Sequence, residues 1–250
     1  MKVTVIIPVH NRAEFVERAI SSVLAQKDAC DLDILVVDDG SDDETPATLA
    51  RIAAQAPEIR IVRRENGGVT KARNTGLAHL LDDTEIVTFI DSDDILLPGR
   101  FAADLTWLER DPAMEVTFGR MIVTTALNDR SLGVAKNAEV AEITGPHLTP
   151  ALIRRSAIER VGSFDEELVQ SEDVDFLFRL FECGTTFKQT ETLCFCYLRH
   201  PGNMTNARDV MHRTFAQAIL KSIQRRRADA SITIDRPRFN IRALMDYKGF

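Results

Sequence analysis

Apolar and polar positions in the first 110 residues fall in blocks rather than in simple alternation. "VTVIIPV" (3–9), "DILVVDD" (33–39), "IRIVRRE" (59–65) and "EIVTFID" (85–91) are short runs rich in β-branched residues, and each reads as a strand. Between them the apolar period lengthens to that of a helix over 13–26, in "SDDETPATLARIAAQ" (41–55) and in "TKARNTGLAHLL" (70–81). Ser41 or Asp42 is placed to cap the second of these, with Pro46 in its first turn. Nearly continuous apolar strands separated by helices predict an α/β fold whose mostly parallel sheet carries helices on both faces.

The second half is less regular. "EVTFGRMIVTT" (115–125) reads as a strand and the polar stretch 128–145 as a loop. "TPALIRRSAIERVGSFDEEL" (149–168) contains a helix, and "SEDVDFLFRLFECG" (171–184) is a second, ended by Gly184. "TFKQTETLCFCYLRH" (186–200) is a strand or strand pair. A last helix spans 207–228, with Met211, Phe215, Ile219 and Ile223 as its apolar stripe and Arg225 to Arg227 as a solvated basic end. A basic amphipathic helix of this kind also suits peripheral contact with an anionic membrane. The pattern gives one continuous fold in two halves, 1–110 and 111–206, followed by a helix and tail at 207–250, whose last twenty residues show no readable element.

Charge and length narrow the function classes. A net charge of -7 argues against a general nucleic-acid surface. No apolar run reaches the roughly 18 residues of a membrane span, and the opening "MKVTVIIPVHNRAEF" reads as a strand rather than a signal peptide. Both point to the cytoplasm. Cys30, Cys183, Cys194 and Cys196 have no disulfide or metal-site spacing and read as small buried hydrophobes, Cys194 and Cys196 on one face of a strand.

The polar clusters sit where the strands end: "HNR" (10–12), "DDGS" (38–41), "ENGG" (65–68) and "DSDD" (91–94). Ligands of parallel sheets bind beyond the carboxyl ends of the strands. Asp91, Asp93 and Asp94 repel one another unless something neutralises them, and oxygen-only ligands suit a hard divalent cation, Mn²⁺ or Mg²⁺. If strand geometry continues, Asp91 and Asp93 point the same way; the alternative is an N-cap for the next helix, entered near Pro98. Asp39 suits a ribose hydroxyl or base N–H, or simply a turn. Gly67 and Gly68 allow close backbone approach, with Lys71 and Arg73 on the following helix facing phosphate or solvent. Glu172 and Asp173 open a helix, either as favourable charges at its dipole or as a general base.

In order, "VIIPVHNR", "ILVVDDGSDD", "ENGGVTKARNTGL", "FIDSDDILLPGR", "VGSFDEEL…SEDVDFLFRL" and "YLRHPGNMT" resemble the family 2 glycosyltransferases, over roughly 3–205. The resemblance implies the GT-A fold and inverting transfer of a sugar from a nucleotide-diphosphate donor, UDP being the commonest leaving group. The acceptor would be a carbohydrate or lipid-linked hydroxyl. It places Pro8, Val9, Asn11, Arg12 and Asp39 around the nucleoside, with Gly68 and Arg73 toward ribose and phosphate. Asp91, Ser92 and Asp93 match the family's DxD motif, Asp93 as direct metal ligand and Asp91 near the ribose or metal. His200 matches a metal-side histidine. Asp173 matches the catalytic base, and Glu172 its positioning neighbour. Phe176 departs from the tryptophan frequent at that position. Two rival readings, a receiver domain on "ILVVDDG" and a haloacid-dehalogenase phosphohydrolase on "VTFIDSDD", leave the remaining clusters unexplained. A nucleotidyltransferase of similar fold, or a nucleotide-sugar-binding protein without turnover, is the alternative within the same architecture.

Overall fold

The computed structural model describes residues 1–128, 132–136 and 138–234. The first half runs β1 (Lys2–Val9), α1 (Ala13–Leu24), β2 (Asp31–Asp38), α2 (Thr45–Ala53), β3 (Ile59–Arg63), α3 (Val69–Ala78), β4 (Ile86–Phe89), β5 (Ile95–Leu96) and α4 (Arg100–Arg110). The second continues with β6 (Val116–Thr124), β7 (Val140–Thr144), β8 (Ala151–Arg154), α5 (Arg155–Val161), α6 (Glu172–Glu182), β9 (Phe187–Leu198) and α7 (Arg208–Ala228). Among the described residues all nine strands join one sheet, ordered β3-β2-β1-β4-β8-β6-β9-β5, with β7 also on β6. β3, β2, β1 and β4 pair in parallel, and β8 joins them antiparallel, carrying the sheet into the second half. Residues on both sides of 110 share this single sheet, and β5 from the first half pairs antiparallel with β9 from the second.

Register shapes the upper edge. β2 runs flush with β1, Val9 opposite Asp38, whereas β4 ends with Phe89 opposite Ile6. Asp91 to Asp94 thus begin in a notch below the tip of β1. Alternate residues of the central strands feed two cores. Val3, Val5 and Ile7 pack with α1 and α4 on one face, and Ile6, Leu35 and Val87 with α5 and α6 on the other. The expectation of helices on both faces is met.

Several boundaries differ from the sequence reading. α2 starts at Thr45, so neither Ser41 nor Asp42 caps it; Thr45 N–H bonds the Asp43 carboxylate instead at 2.8 Å. Within 128–145 the segment Val140–Thr144 is a strand, because β6 offers it an edge beyond the place where β8 leaves. Gly119 marks that changeover: a Cβ there would lie 2.0 Å from Cys194 Sγ and 2.6 Å from the Thr192 carbonyl oxygen. Gly119→Ala is therefore expected to lower stability by about 1–3 kcal/mol in denaturant titration. Cys194→Ala should restore only part of the loss, since the carbonyl remains. Cys194 and Cys196 are buried as expected, but in different clusters, and Cys183 is exposed.

α7 docks through Thr214, Ala218 and Ser222, which are buried, rather than through the Met211–Ile223 stripe, which is half-buried. Polar contacts set that choice. Ser222 donates to Glu182 at 2.5 Å, and Arg225 bonds Glu182 at 2.5 Å and Asp175 at 2.9 Å. Lys221 bonds Asp165 and Glu167, both at 2.6 Å. Arg225 is accordingly not part of a solvated basic end. Among the described residues no helix is long and apolar enough to cross a membrane. Residues 235–250 of the tail lie outside the described residues.

Candidate active site

The tips of β1 and β2 are stitched together by side chains. Asn11 takes φ 51°, a left-handed conformation that asparagine tolerates better than most residues. Its backbone N–H donates to Ser41 Oγ at 3.0 Å. Its amide exchanges bonds with Asp42, Nδ2 to Oδ1 at 2.6 Å and Asp42 N–H to Asn11 Oδ1 at 2.9 Å. Pro8 and Val9, at the end of β1, are buried beneath this junction. Asp38 accepts from Ser41 N–H at 2.9 Å and pairs with Arg63 at 3.2 Å.

Asp39, expected to face a base, is only 3% exposed. Its carboxylate accepts from Gly67 N–H at 3.1 Å, from Gly68 N–H at 2.7 Å and from the Arg64 guanidinium. It fastens the "ENGG" turn to β2. Gly40, which sequence reasoning passed over, makes the closure possible: at φ +75° it lies so near the turn that a Cβ would sit 2.7 Å from Asn66 N. The repeated Gly in "DDGS" and "ENGG" was the available signal. Lys71 is exposed.

Strand geometry stops at Phe89, and Asp94 N–H closes a turn onto Asp91 O at 3.1 Å, so the acids fan out instead of aligning. Each then meets a different surrounding. Asp91 bonds Arg73 at 2.7 Å. Asp93 meets His200 Nε2 at 3.0 Å and Arg12 at 3.5 Å. Asp94 is buried, accepts from Leu198 N–H at 3.0 Å through Oδ1, and has no partner for Oδ2 among the described residues. Burial first, then the charges of Asp93 and Asp91, hold its pKa well above the ordinary carboxylate range. Neither Asp93 nor Asp94 caps a helix: α4 starts after Gly99. Ser92 is buried in the same turn. His200 is fixed from its other side by Phe15, whose ring stacks on it at 4.8 Å, and Arg12 also bonds the Gly202 carbonyl at 3.1 Å.

α6 brings the second acid group to this cluster. Ser171 turns the chain at φ 60°, and Glu172, Asp173 and Asp175 occupy the first helical turn. Asp175 is buried and bound by Arg179 and Arg225, a structural role. Glu172 is buried and paired with Arg73. Arg73, expected toward the ribose and phosphate, is 5% exposed and bridges the Asp91 turn and the start of α6. Burial disfavours its charge, but Asp91 and Glu172 outweigh that and raise its pKa. Asp173 is half-buried, accepts from Val174 N–H at 2.8 Å, and forms no ion pair with a lysine or arginine among the described residues. Its carboxylate is the accessible one of the α6 acids. His147, in the stretch that gave no pattern, interacts electrostatically with Asp173; burial lowers its pKa and the Asp173 charge opposes that.

A family model described as glycosyl transferase family 2 matches residues 4–162, well over half of the chain. The chain belongs to glycosyl transferase family 2. Among similar family members, a chondroitin synthase of Pasteurella multocida is 27% identical over 211 residues, covering 80% of this chain and 21% of that protein. A pre-mycofactocin glycosyltransferase of Mycobacterium tuberculosis is 32% identical over 206 residues, covering 74% of this chain and 40% of that one. The chain thus spans well under half the length of both these relatives. Staphylococcus aureus TarS in complex with UDP-GlcNAc matches the structure with a TM-score of 0.69 at 21% identity, over 89% of this chain and 65% of that one. A Pyrobaculum calidifontis mannosyltransferase in complex with GDP-Man and Mn²⁺ matches with a TM-score of 0.67 at 22% identity, over 89% and 64%. The fold is the GT-A fold that the motifs of this family implied.

For this family member the acid cluster makes a specific pH prediction. Burial, opposed by Arg73, pushes Glu172 up to about 7 from 4.5. A carboxyl raised on folding binds more protons in the folded than in the unfolded state between those values. Its contribution to stability is full below about pH 4.5 and declines as pH rises toward 7. Wild-type melting temperature should therefore carry a downward slope across that window, and Glu172→Gln should flatten it.

Proposed function

We propose that this chain transfers a sugar from a nucleoside-diphosphate sugar to an acceptor hydroxyl, with inversion, in the assembly of a polysaccharide or glycoconjugate. The observation that carries the reading is Asp173, a half-buried carboxylate that forms no ion pair with a lysine or arginine among the described residues and directly follows Glu172, which Arg73 ties to the Asp91 turn. Asp173 removes the proton from the acceptor hydroxyl as that oxygen attacks the anomeric carbon. The bond from the anomeric carbon to the diphosphate oxygen breaks, and its electron pair leaves with the diphosphate. Glu172 positions the base through its pairing with Arg73. Pro8, Val9, Asn11, Arg12, Asp39 and Gly68 frame the nucleoside side, Asp39 by fixing the turn at Gly67 and Gly68.

Asp93 and His200 fit a divalent cation. Their carboxylate oxygen and imidazole nitrogen lie 3.0 Å apart, a donor set suited to Mn²⁺ or Mg²⁺, and Asp91 belongs to the same turn. Among the described residues no three acids, histidines or cysteines converge as a complete set; a cation held by Asp93 and His200 would take its remaining ligands from diphosphate and water. Bound there, it supplies charge stabilisation to the departing diphosphate.

The solved relatives hold UDP-GlcNAc and GDP-Man; we favour a UDP-sugar here. The acceptor is a carbohydrate or lipid-linked hydroxyl, met in the cytoplasm or at a membrane surface. Release of nucleoside diphosphate from a panel of UDP- and GDP-sugars, with Mn²⁺ and with chelator, tests the reading. One donor should be turned over in a metal-dependent way. Turnover of none, by folded protein with a range of acceptors, would count against it. Asp93→Ala should weaken metal-dependent donor binding by roughly tenfold or more, a loss of about 1.4 kcal/mol.

A further inference from the structure

Ser171 stands at the N-cap of α6, where a serine oxygen ordinarily accepts from an N–H of the first turn. Among the described residues it makes no such cap bond. Its hydroxyl instead lies 3.2 Å from the hydroxyl of Thr214 on α7. Thr214 is 2% exposed, and its single hydroxyl proton goes to the carbonyls of Val210 and Met211, at 3.0 and 3.2 Å, in the preceding turn of its own helix. Ser171 is therefore the donor of the contact and Thr214 the acceptor. We propose that Thr214 is a positioning residue for Asp173, acting through Ser171 to fix the direction in which the base projects from α6.

The surroundings of the contact give it that role. Ser171 holds φ 60°, a conformation that strains a residue other than glycine, only two residues before Asp173. A hydroxyl turned away from its own helix at such a position is kept there by its partner on α7. The same helix grips α6 again at Asp175, which Arg225 bonds at 2.9 Å. Side chains two apart on a helix do not share a face, so Asp173 is turned away from the side that Arg225 holds. The approach to α6 is tied as well: Gln170 Nε2 donates to the Met204 carbonyl at 3.1 Å, and Thr70 Oγ1 to the Leu168 carbonyl at 2.9 Å. The chain is thus held on both sides of Ser171, and Thr214 decides the turn between. That Asp173 is the base rests on the transfer reaction proposed above; the tether itself does not.

Thr214→Val removes the acceptor at nearly constant size, and Thr214→Ser restores it. With the donor and acceptor that the wild type turns over, Thr214→Val is expected to lower kcat about ten- to a hundredfold. Calorimetric binding of UDP or GDP with Mn²⁺ should be unchanged, and Thr214→Ser should recover most of the lost rate. In an Asp173→Asn background Thr214→Val should cause no further loss, because only the placement of the base is affected. A merely structural role would lower both backgrounds alike. Ser171→Ala breaks the contact from the other side and should match Thr214→Val, which keeps the test open if Thr214→Val does not fold. The imidazole of His147, whose pKa answers to burial and to the Asp173 charge, reads the placement without substrate. Its NMR titration midpoint should shift in Thr214→Val toward that of Asp173→Asn. Wild-type kcat in the folded variants, equal losses in both backgrounds, or an unmoved His147 midpoint would overturn the proposal. A shifted midpoint in a protein that transfers from no donor fails the transferase reading alone.

Discussion

Asp173→Asn is expected to lower kcat about a thousandfold while leaving the affinity for nucleoside diphosphate unchanged. The amide keeps the size of the carboxylate and can still accept from Val174 N–H, so the start of α6 should hold its shape. What it loses is basicity, and a positioned general base contributes about 10²–10⁴ in rate. Single-turnover transfer and calorimetry on the same preparation separate the two effects. Equal turnover by the variant and the wild type would remove Asp173 as the base. His147 supplies a second check, because burial lowers its pKa and the Asp173 charge raises it: with the carboxylate gone, its pKa should fall further, which NMR titration of the imidazole reads.

Arg73→Met should have the largest effect on stability. The guanidinium is buried between Asp91 and Glu172, and the methionine would leave Glu172 enclosed without its cation. Breaking such a pair from one side costs about 3–5 kcal/mol, or roughly 10 °C in melting temperature for a chain of this size. Adding Glu172→Gln should recover part of the loss, since the stranded charge is then removed as well. Arg73→Lys should rescue poorly, because an ammonium cannot present two separated N–H groups in the fork that reaches both acids. Donor binding should fall with Arg73→Met even where the protein remains folded, because the Asp91 turn loses its tie to α6. A melting temperature unchanged from wild type would show that Arg73 is not the bridge described.

Much of this architecture was legible in the sequence. Blocks of β-branched residues gave the four parallel strands, and strand ends gave the positions of the polar clusters, since both depend on local pattern. Side-chain partners were less accessible. Nothing in "VTKARNTGL" distinguishes an arginine facing phosphate from one buried between two carboxylates drawn from residues 18 and 99 positions away. Asp39 likewise reads as a ligand group until the Gly67–Gly68 turn closes on it. Arg100 is fully buried, bonding Thr88 at 3.0 Å and the Ala151 carbonyl at 3.1 Å, although "LLPGR" suggests only a helix start. β7 escaped notice because its "VAEIT" is half-exposed and depends on the edge of β6 for its pairing. On α7 the apolar stripe misled, because Arg225, Lys221 and Ser222 bind the acids of α6 and its approach and rotate the helix about them.

The central claim is that the strand-end acids receive a metal–diphosphate complex beside a waiting base. Calorimetric titration of UDP and GDP, each with Mn²⁺ and with chelator, into wild type, Asp93→Ala and Asp173→Asn tests it most directly. The account predicts metal-dependent binding of one nucleotide by the wild type and by Asp173→Asn, and its loss in Asp93→Ala. Binding that is indifferent to chelator and to Asp93, or no binding of either nucleotide by folded wild type, would contradict it.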